Sequence, residues 1–331
     1  MVRRIGGYIG AGVTDLSSLS GNTNTGGATG VWDVIQQNFY RLKSEWPFYG
    51  PVSVTGGNIA EALAPGNGYK YHTFTNPGSF SLDNGFKTVD ILVVAGGGSG
   101  GTGYYGGGGG AGGVIYYPNL VIGVGSYAIE VGLGGSPNTT QNGGNSSFGT
   151  SADLTTHLVA LGGGYGGPRT AAANSGGSGG GVGQPGTEGL GNQKTDVTIP
   201  EISRTYGYGS DGGPSAYGAG GGGALTAGGN GPNGTGGVGY SNSAFDGPLI
   251  GIPALDPYNG TFAGGGGGGQ YPTSSGGYLG GPGGGGNGGI PSSPGGKDAV
   301  QYTGSGGGGG WGDGAPSGAG AQGIVVIRYA A

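Results

Sequence analysis

No cysteine occurs anywhere in the 331 residues. A disulfide framework and a thiolate metal site are thereby excluded. Charge is scarce as well: 8% of the residues are Asp, Glu, Lys or Arg, with 11 basic against 16 acidic for a net charge of −5. Nucleic acid and anionic membrane surfaces reward clustered Lys and Arg, so neither is an expected partner. The only two histidines, His72 and His157, lie far apart in strand-like segments. They give no reason to expect a metal site or a catalytic base. No stretch of about 18 apolar residues is present and no charged-then-apolar leader opens the chain, so neither membrane insertion nor a signal peptide is expected. The acids beyond residue 60 are scattered, with no paired carboxylates in a supporting acid–base set. The expectation is a protein that is not an enzyme, with no catalytic residues, no cofactor and no bound metal.

What the chain does contain is glycine: 98 residues, with 19 prolines. Collagen needs glycine at every third position, because only glycine fits the triple-helix axis. Runs such as Gly264 to Gly269 and stretches such as "KTDVTIPEISRTY" break that period. Low-complexity disorder is the next compositional class, but the charge is too low for a self-repelling chain. Ordering a glycine costs about 0.5–1 kcal/mol more than ordering an alanine. So many glycines are compatible with order only where the bare backbone does the packing. Extended left-handed helices with three residues per turn, the polyproline II geometry, allow this. Without Cβ atoms they can lie side by side, exchanging N–H···O bonds worth about 1 kcal/mol each and Cα–H···O contacts worth about 0.5–1. The expected fold class is all-β, with a glycine-rich bundle of such helices and one short N-terminal α-helix.

Two regions are expected. Residues 1–50 form an N-terminal attachment segment, in which Trp32, Ile35, Phe39 and Leu42 are spaced 3, 4 and 3. That spacing puts four apolar side chains on one helical stripe, with Thr29 as N-cap and Pro47 as terminator. A helix this short cannot bury its stripe alone, so these four residues are the candidate contacts to a neighbouring protein or another subunit. Residues 51–331 form a glycine-rich β domain, with strands mainly in 69–160 and 323–330 and glycine rods in 161–322. "YKYHTFT" (69–75), "VIYYPNLVI", "SYAIEVG" and "GIVVIRYA" (323–330) read as strands. In "GSFSLDNGFKTVDILVVA" the Asn84-Gly85 pair predicts a tight hairpin. The likeness of the last strand to Ile91–Val94 predicts a return to the sheet where the chain began.

"VDILVVAGGGSGG" (89–101) has the strand and the glycines of a dinucleotide-binding opening. That fold also needs a helix whose N-terminus faces the pyrophosphate. Here more glycine and another strand follow, so the segment is read as a strand feeding a rod. "WGDG" (311–314) matches one fragment of a calcium-binding glycine repeat, whose Asp would have to recur every nine residues; it does not. The informative residues are aromatics beside the glycine runs. Tyr104, Tyr105, Tyr206, Tyr208, Tyr217, Tyr258, Phe262 and Tyr271 are the candidate receptor contacts, with Tyr278 and Trp311 nearby in the pattern. Tyrosine set among Gly, Ser and Asn supplies rigid contact area at low entropic cost. The same rings could instead seal the rims of the glycine layers. The inserts 184–218 and 240–263, with Tyr104 and Tyr105, are the expected contact loops.

"YKYHTFTNPGSFSL", "VDILVVAGGGSGG", "GGGGGAGG", "GSYAIEVGLGG", "GGNSSFG", "ALGGGYGG" and the closing "GIVVIRY" resemble, in that order, the glycine-rich domain of bacteriophage tail and fibre proteins, from about residue 69 onward. "TGVWDVIQQNFYRLKSEWP" also resembles a short segment found beside such domains in phage virion proteins. A looser similarity is to the polyglycine-sandwich adhesins of T-even-type phages, although the inserts here do not align with theirs. The resemblance implies a structural protein made in the bacterial cytoplasm and exposed on the virion. It further implies a tail-fibre or tail-tip location, adhesion to a host-surface glycan or outer-membrane protein, other virion proteins as neighbours, and a homotrimer. The alternatives carried are a capsid or tail decoration or fibre-scaffold protein with no receptor of its own, and a glycine-rod antifreeze protein.

Overall fold

Two apolar runs, "ILVV" at 91–94 and "IVVI" at 324–327, have no polar residue in alternation, the pattern of strands buried on both faces. They pair side by side at the centre of the molecule. The computed structural model describes residues 52–331, apart from 153–155, 170, 185, 215–216, 232–233 and 271–277, together with the strands β1 (Tyr8–Ile9) and β2 (Val31–Trp32). The remaining strands are β3 (Val54–Thr55), β4 (Ala60–Leu63), β5 (Tyr69–Phe74), β6 (Gly78–Val94), β7 (Val114–Glu130), β8 (Ser146–Phe148), β9 (Leu158–Ala160), β10 (Gly207–Tyr208), β11 (Tyr240–Ser241), β12 (Thr261–Phe262) and β13 (Ile324–Ala330). One nine-stranded sheet runs β4-β5-β13-β6-β7-β8-β9, with β3 beside β6 and β10 beside β7. The protein is mostly β-structure, with only short helical segments among the described residues.

The last strand does return to the sheet: Val325 stands opposite Val93 on one side and Phe74 on the other. Alternation then sends neighbouring residues to opposite faces. Ile91, Val93, Val325 and Ile327 join Phe80, Phe148 and Leu158 in one core, and Leu92, Val94, Ile324 and Val326 enter the second. The first face is closed by β8, which lays Phe148 against Phe80 and Tyr127, and by Ile202 and Tyr206 around helix α1 (Glu201–Thr205). The second is closed by the 240–263 insert, through Phe245, Ile250, Ile252, Leu255 and Phe262. Arg328 and Asp90 face each other across β13 and β6 with Nη2···Oδ2 at 2.8 Å. Asp90 also accepts the Asn119 N–H at 2.9 Å, and the guanidinium lies over Tyr69.

Three expectations from sequence are corrected. Asn84-Gly85 makes no hairpin: Leu82 pairs with Gly125 and Phe86 with Gly123, so the dipeptide sits in a bulge within the 17-residue β6. Both flanks find partners on β7, and the ladder gained by continuing outweighs the local turn preference. "VIYYPNLVI" and "SYAIEVG" are likewise one strand, β7, rather than two. Trp32, the first position of the expected helical stripe, is in β2 and stands opposite Tyr8, with Val31 opposite Ile9. A β-branched and an aromatic residue favour that extended pairing. Ile35, Phe39 and Leu42 lie outside the described residues.

The glycine runs form rods with a threefold bonding pattern. In 106–113, Gly106, Gly109 and Gly112 donate to Gly310, Gly307 and Gly304. Gly107, Gly110 and Gly113 donate to Gly167, Gly164 and Leu161, while Gly108 and Ala111 donate to Ala219 and Gly222. The same rod accepts from the segments 95–101, 178–181 and 266–269. A β-strand alternates between two neighbours. A repeat of three, shared among six surrounding segments, is the polyproline II-type lattice. The close approach depends on missing side chains: a Cβ on Gly108 would overlap the Gly266 carbonyl and stand 2.8 Å from Gly221 N. Rods begin earlier than the 161–322 expected, since 95–101 and 106–113 are the connection between β6 and β7. The glycines after Val94 are therefore committed to neighbouring backbone, and no helix follows them.

His72 is fully buried in this sheet. Its Nδ1 lies 2.6 Å from the Gly56 carbonyl and its Nε2 lies 3.2 Å from the Tyr329 hydroxyl. A neutral ring donating from Nδ1 and accepting at Nε2 satisfies both contacts. Burial lowers its pKa below the ordinary 6.5, opposed by the Gly56 hydrogen bond and Glu61 and aided by Lys70. The unfolded chain therefore takes up this proton first as pH falls. The stabilisation from His72 is complete above pH 6.5 and declines below it toward the depressed folded value. The melting temperature should fall on going from pH 7 to pH 5, and less steeply in His72→Gln. His157, also lowered by burial, leaves a residual slope in both proteins. Identical slopes in melting curves would contradict the assignment.

Candidate functional site

Each rod has a sheet end and a far end. The rod 95–101 leaves β6 at Val94, and 106–113 returns into β7 at Val114, so 102–105 is a turn at the end farthest from the sheet. The rod 161–167 leaves β9 in the same way, and 310 and 218 lie beside 106 and 269 at that end. Residues that follow a glycine run there meet one another although they are distant in sequence. Gly103 N–H donates to Ala315 O and Arg169 N–H to Thr102 O, which ties three turns together.

On this platform the rings of Tyr104 and Tyr105 are 5.8 Å apart, Tyr104 and Trp311 6.2 Å, and Tyr105 and Tyr217 5.7 Å. Tyr217 is exposed; the other three are half-buried. Arg169 lies over the Tyr104 ring at 5.2 Å and reaches Asp313 at 3.7 Å. The backbone is strained here: Tyr105 has φ 56° and Tyr217 φ 73°. That left-handed region is unusual for bulky residues and costs on the order of 1–2 kcal/mol each. Such strain persists only where surrounding contacts over-determine it.

The structure thus gathers Tyr104, Tyr105 and Tyr217 and adds Trp311, but it separates the other candidates. Phe262 is 1% exposed in β12 and part of the second core. Its burial corrects the expectation that it is a contact residue, because the 240–263 insert folds onto the sheet rather than projecting as a loop. Tyr258 is half-buried and lines an open cavity of about 600 Å³ with Pro257, Asn259 and the backbone of 280–285, where no charged side chain is present. Tyr206 packs 4.2 Å from Tyr117, and Tyr208 4.7 Å from Tyr240. Burial pushes the Tyr240 phenol up to about 12, with Tyr208 and Tyr116 adding and an Asn242 hydrogen bond opposing. These rings seal the sheet flank. Tyr278 is also buried, and Tyr271 lies outside the described residues.

Arg169 and Asp313 were missed by reading the sequence. Each follows a glycine run, in "GGPRT" and "GGGGGWGDG". The available signal was that a charged residue at the end of a rod is placed in the far rim with the others. Among the described residues no three His, Asp or Glu side chains gather as a metal site.

A family model described as a glycine-rich domain matches residues 73–330. The chain belongs to the glycine-rich domain family. No curated protein matches it. The matched stretch of the glycine-rich domain opens inside β5 and closes at the end of β13, so it takes in the paired central strands, every rod described above and the aromatic rim.

Proposed function

We propose that this glycine-rich protein is a structural component of a bacteriophage virion, a tail-fibre or tail-tip element that adheres to the bacterial surface through the far rim of its rods. The ordered motifs that resemble phage tail and fibre proteins support the virion setting. The observation that carries the adhesive role is the convergence of Tyr104, Tyr105, Tyr217 and Trp311 at the rim, on a backbone that the rod lattice holds rigid. Rigid aromatic anchors surrounded by small residues make contact surfaces with little entropy to lose. On this reading the N-terminal residues 1–50 join neighbouring virion proteins, the protein is a trimer, and the rim points outward from the particle.

A second reading, a decoration or fibre-scaffold protein without a receptor, is favoured by the packing of the 240–263 insert onto the sheet, which removes the expected contact loop. Particles carrying the double variant Tyr104→Ala, Tyr105→Ala separate the two. Adhesion through the rim predicts at least a tenfold slower adsorption to host cells, with assembly intact by electron microscopy. A Phe86→Ser control on the exposed sheet surface should adsorb normally. Normal adsorption of the double variant would support the decoration reading instead.

A further inference from the structure

We infer that the rim cluster is a binding site for a neutral sugar. The inference rests on the adhesive reading above and specifies its ligand chemistry. The C–H face of a pyranose is apolar and stacks on aromatic rings, while its edge carries hydroxyls that need both donors and acceptors. The rim supplies both parts. Tyr104 is tilted 52° from Tyr105 and 65° from Trp311, so the rings form a faceted surface instead of a closed stack. Beside them Arg169, 53% exposed, offers the planar guanidinium donors, and Asp313, 84% exposed, offers carboxylate acceptors. Their separation of 3.7 Å is longer than a close charge-assisted hydrogen bond. The two groups are near enough to serve one pair of adjacent hydroxyls and too loosely joined to be consumed by each other.

The charge selects among ligands. Arg169 is balanced by Asp313, so the rim has no net cation to attract a carboxylate or phosphate, in a chain of net charge −5. An acidic sugar would have to displace Asp313 and then sit beside it. The strained φ values of Tyr105 and Tyr217 give a second, independent indication. Two tyrosines in mutual contact are both held in the left-handed region at the rim. Strain of this kind concentrates at ligand sites.

The test uses the purified full-length protein. Methyl glycosides of glucose, galactose and mannose and N-acetylglucosamine oligomers are titrated by calorimetry, with glucuronate as the charged comparison. Saturable binding of at least one neutral sugar is expected. Trp311→Ala, Arg169→Ala and Asp313→Ala should each weaken it about tenfold or more, and Phe86→Ser, on the exposed sheet surface, should bind as wild type. Melting temperatures of the variants show whether any loss is a loss of fold. If no sugar binds, or only glucuronate binds, the inference is overturned. If no sugar binds but the purified protein still blocks particle adsorption, adhesion stands and its receptor is a polypeptide. If a neutral sugar binds at the rim but adsorption is not blocked, the sugar site stands and the adhesive reading falls.

Discussion

Gly108→Ala is expected to destabilise the protein by about 3–5 kcal/mol, while Gly78→Ala should be near neutral. The added Cβ at position 108 would overlap the Gly266 carbonyl and crowd Gly221 N, both of them backbone atoms of neighbouring rods. A flexible side chain could turn away, but these atoms are fixed by bonds of their own: Gly266 donates to Gly109 O, and Gly221 donates to Gly266 O. Overpacking of a well-filled interior costs about 1–3 kcal/mol. Each hydrogen bond displaced adds about 0.5–1.5. At Gly78 the nearest atoms to an added Cβ are Phe74 ring carbons at 3.5 Å, an ordinary contact. There, reduced freedom of the unfolded chain offsets any minor loss. For a domain of this size the difference amounts to about 5–10 °C in melting temperature. Equal melting temperatures would mean that the rods tolerate side chains and are not packed backbone to backbone.

Phe245→Ala carries the second large effect, about 3–5 kcal/mol by the usual cost of emptying a buried phenylalanine site. Phe245 is fully buried, edge-on to Tyr116 at 5.8 Å and beneath the Arg328 guanidinium at 5.3 Å. Its segment is fastened to the sheet at two further points: Tyr71 donates its hydroxyl proton to Ala244 O, and Thr73 Oγ1 donates to Ile250 O. A detachable surface loop would lose about 0.5 kcal/mol or less on such a change. Denaturant titration distinguishes the two, and a small effect would restore the insert to the set of exposed contact loops.

The parts of this fold that were legible in the sequence are those set by composition and by uninterrupted apolar runs. The buried strands at 91–94 and 324–327 announced themselves because both faces are covered, and their similarity anticipated their pairing. The rods were legible because 98 glycines have few other ordered uses. What misled was local signal overruled by long-range pairing. Asn84-Gly85 is a strong turn dipeptide, yet β7 offers partners on both of its sides. The insert 240–263 reads as a contact loop because its apolar residues, Phe245, Ile250, Ile252 and Leu255, have neither helical nor strand period. Two 3₁₀ turns, Ser243–Phe245 and Pro253–Tyr258, place them on the sheet instead. The rim was half legible. Aromatic residues beside glycine runs were visible, but which of them meet depends on which rods are neighbours. Trp311 and Tyr104 are 207 positions apart by their numbers, and no periodicity relates them.

The central claim is that glycine backbones, bonded with a period of three, pack against one another to form the interior of the rod region, beside the two side-chain cores of the sheet. Through-hydrogen-bond NMR couplings on deuterated, isotope-labelled protein test it most directly, read together with amide exchange across 106–113. The lattice predicts that all of these amides are protected, and that Gly107, Gly108 and Gly109 couple to the carbonyls of Gly167, Ala219 and Gly307, three different segments in succession. Fast exchange with no couplings, or acceptors that alternate between two segments as in a sheet, would contradict it.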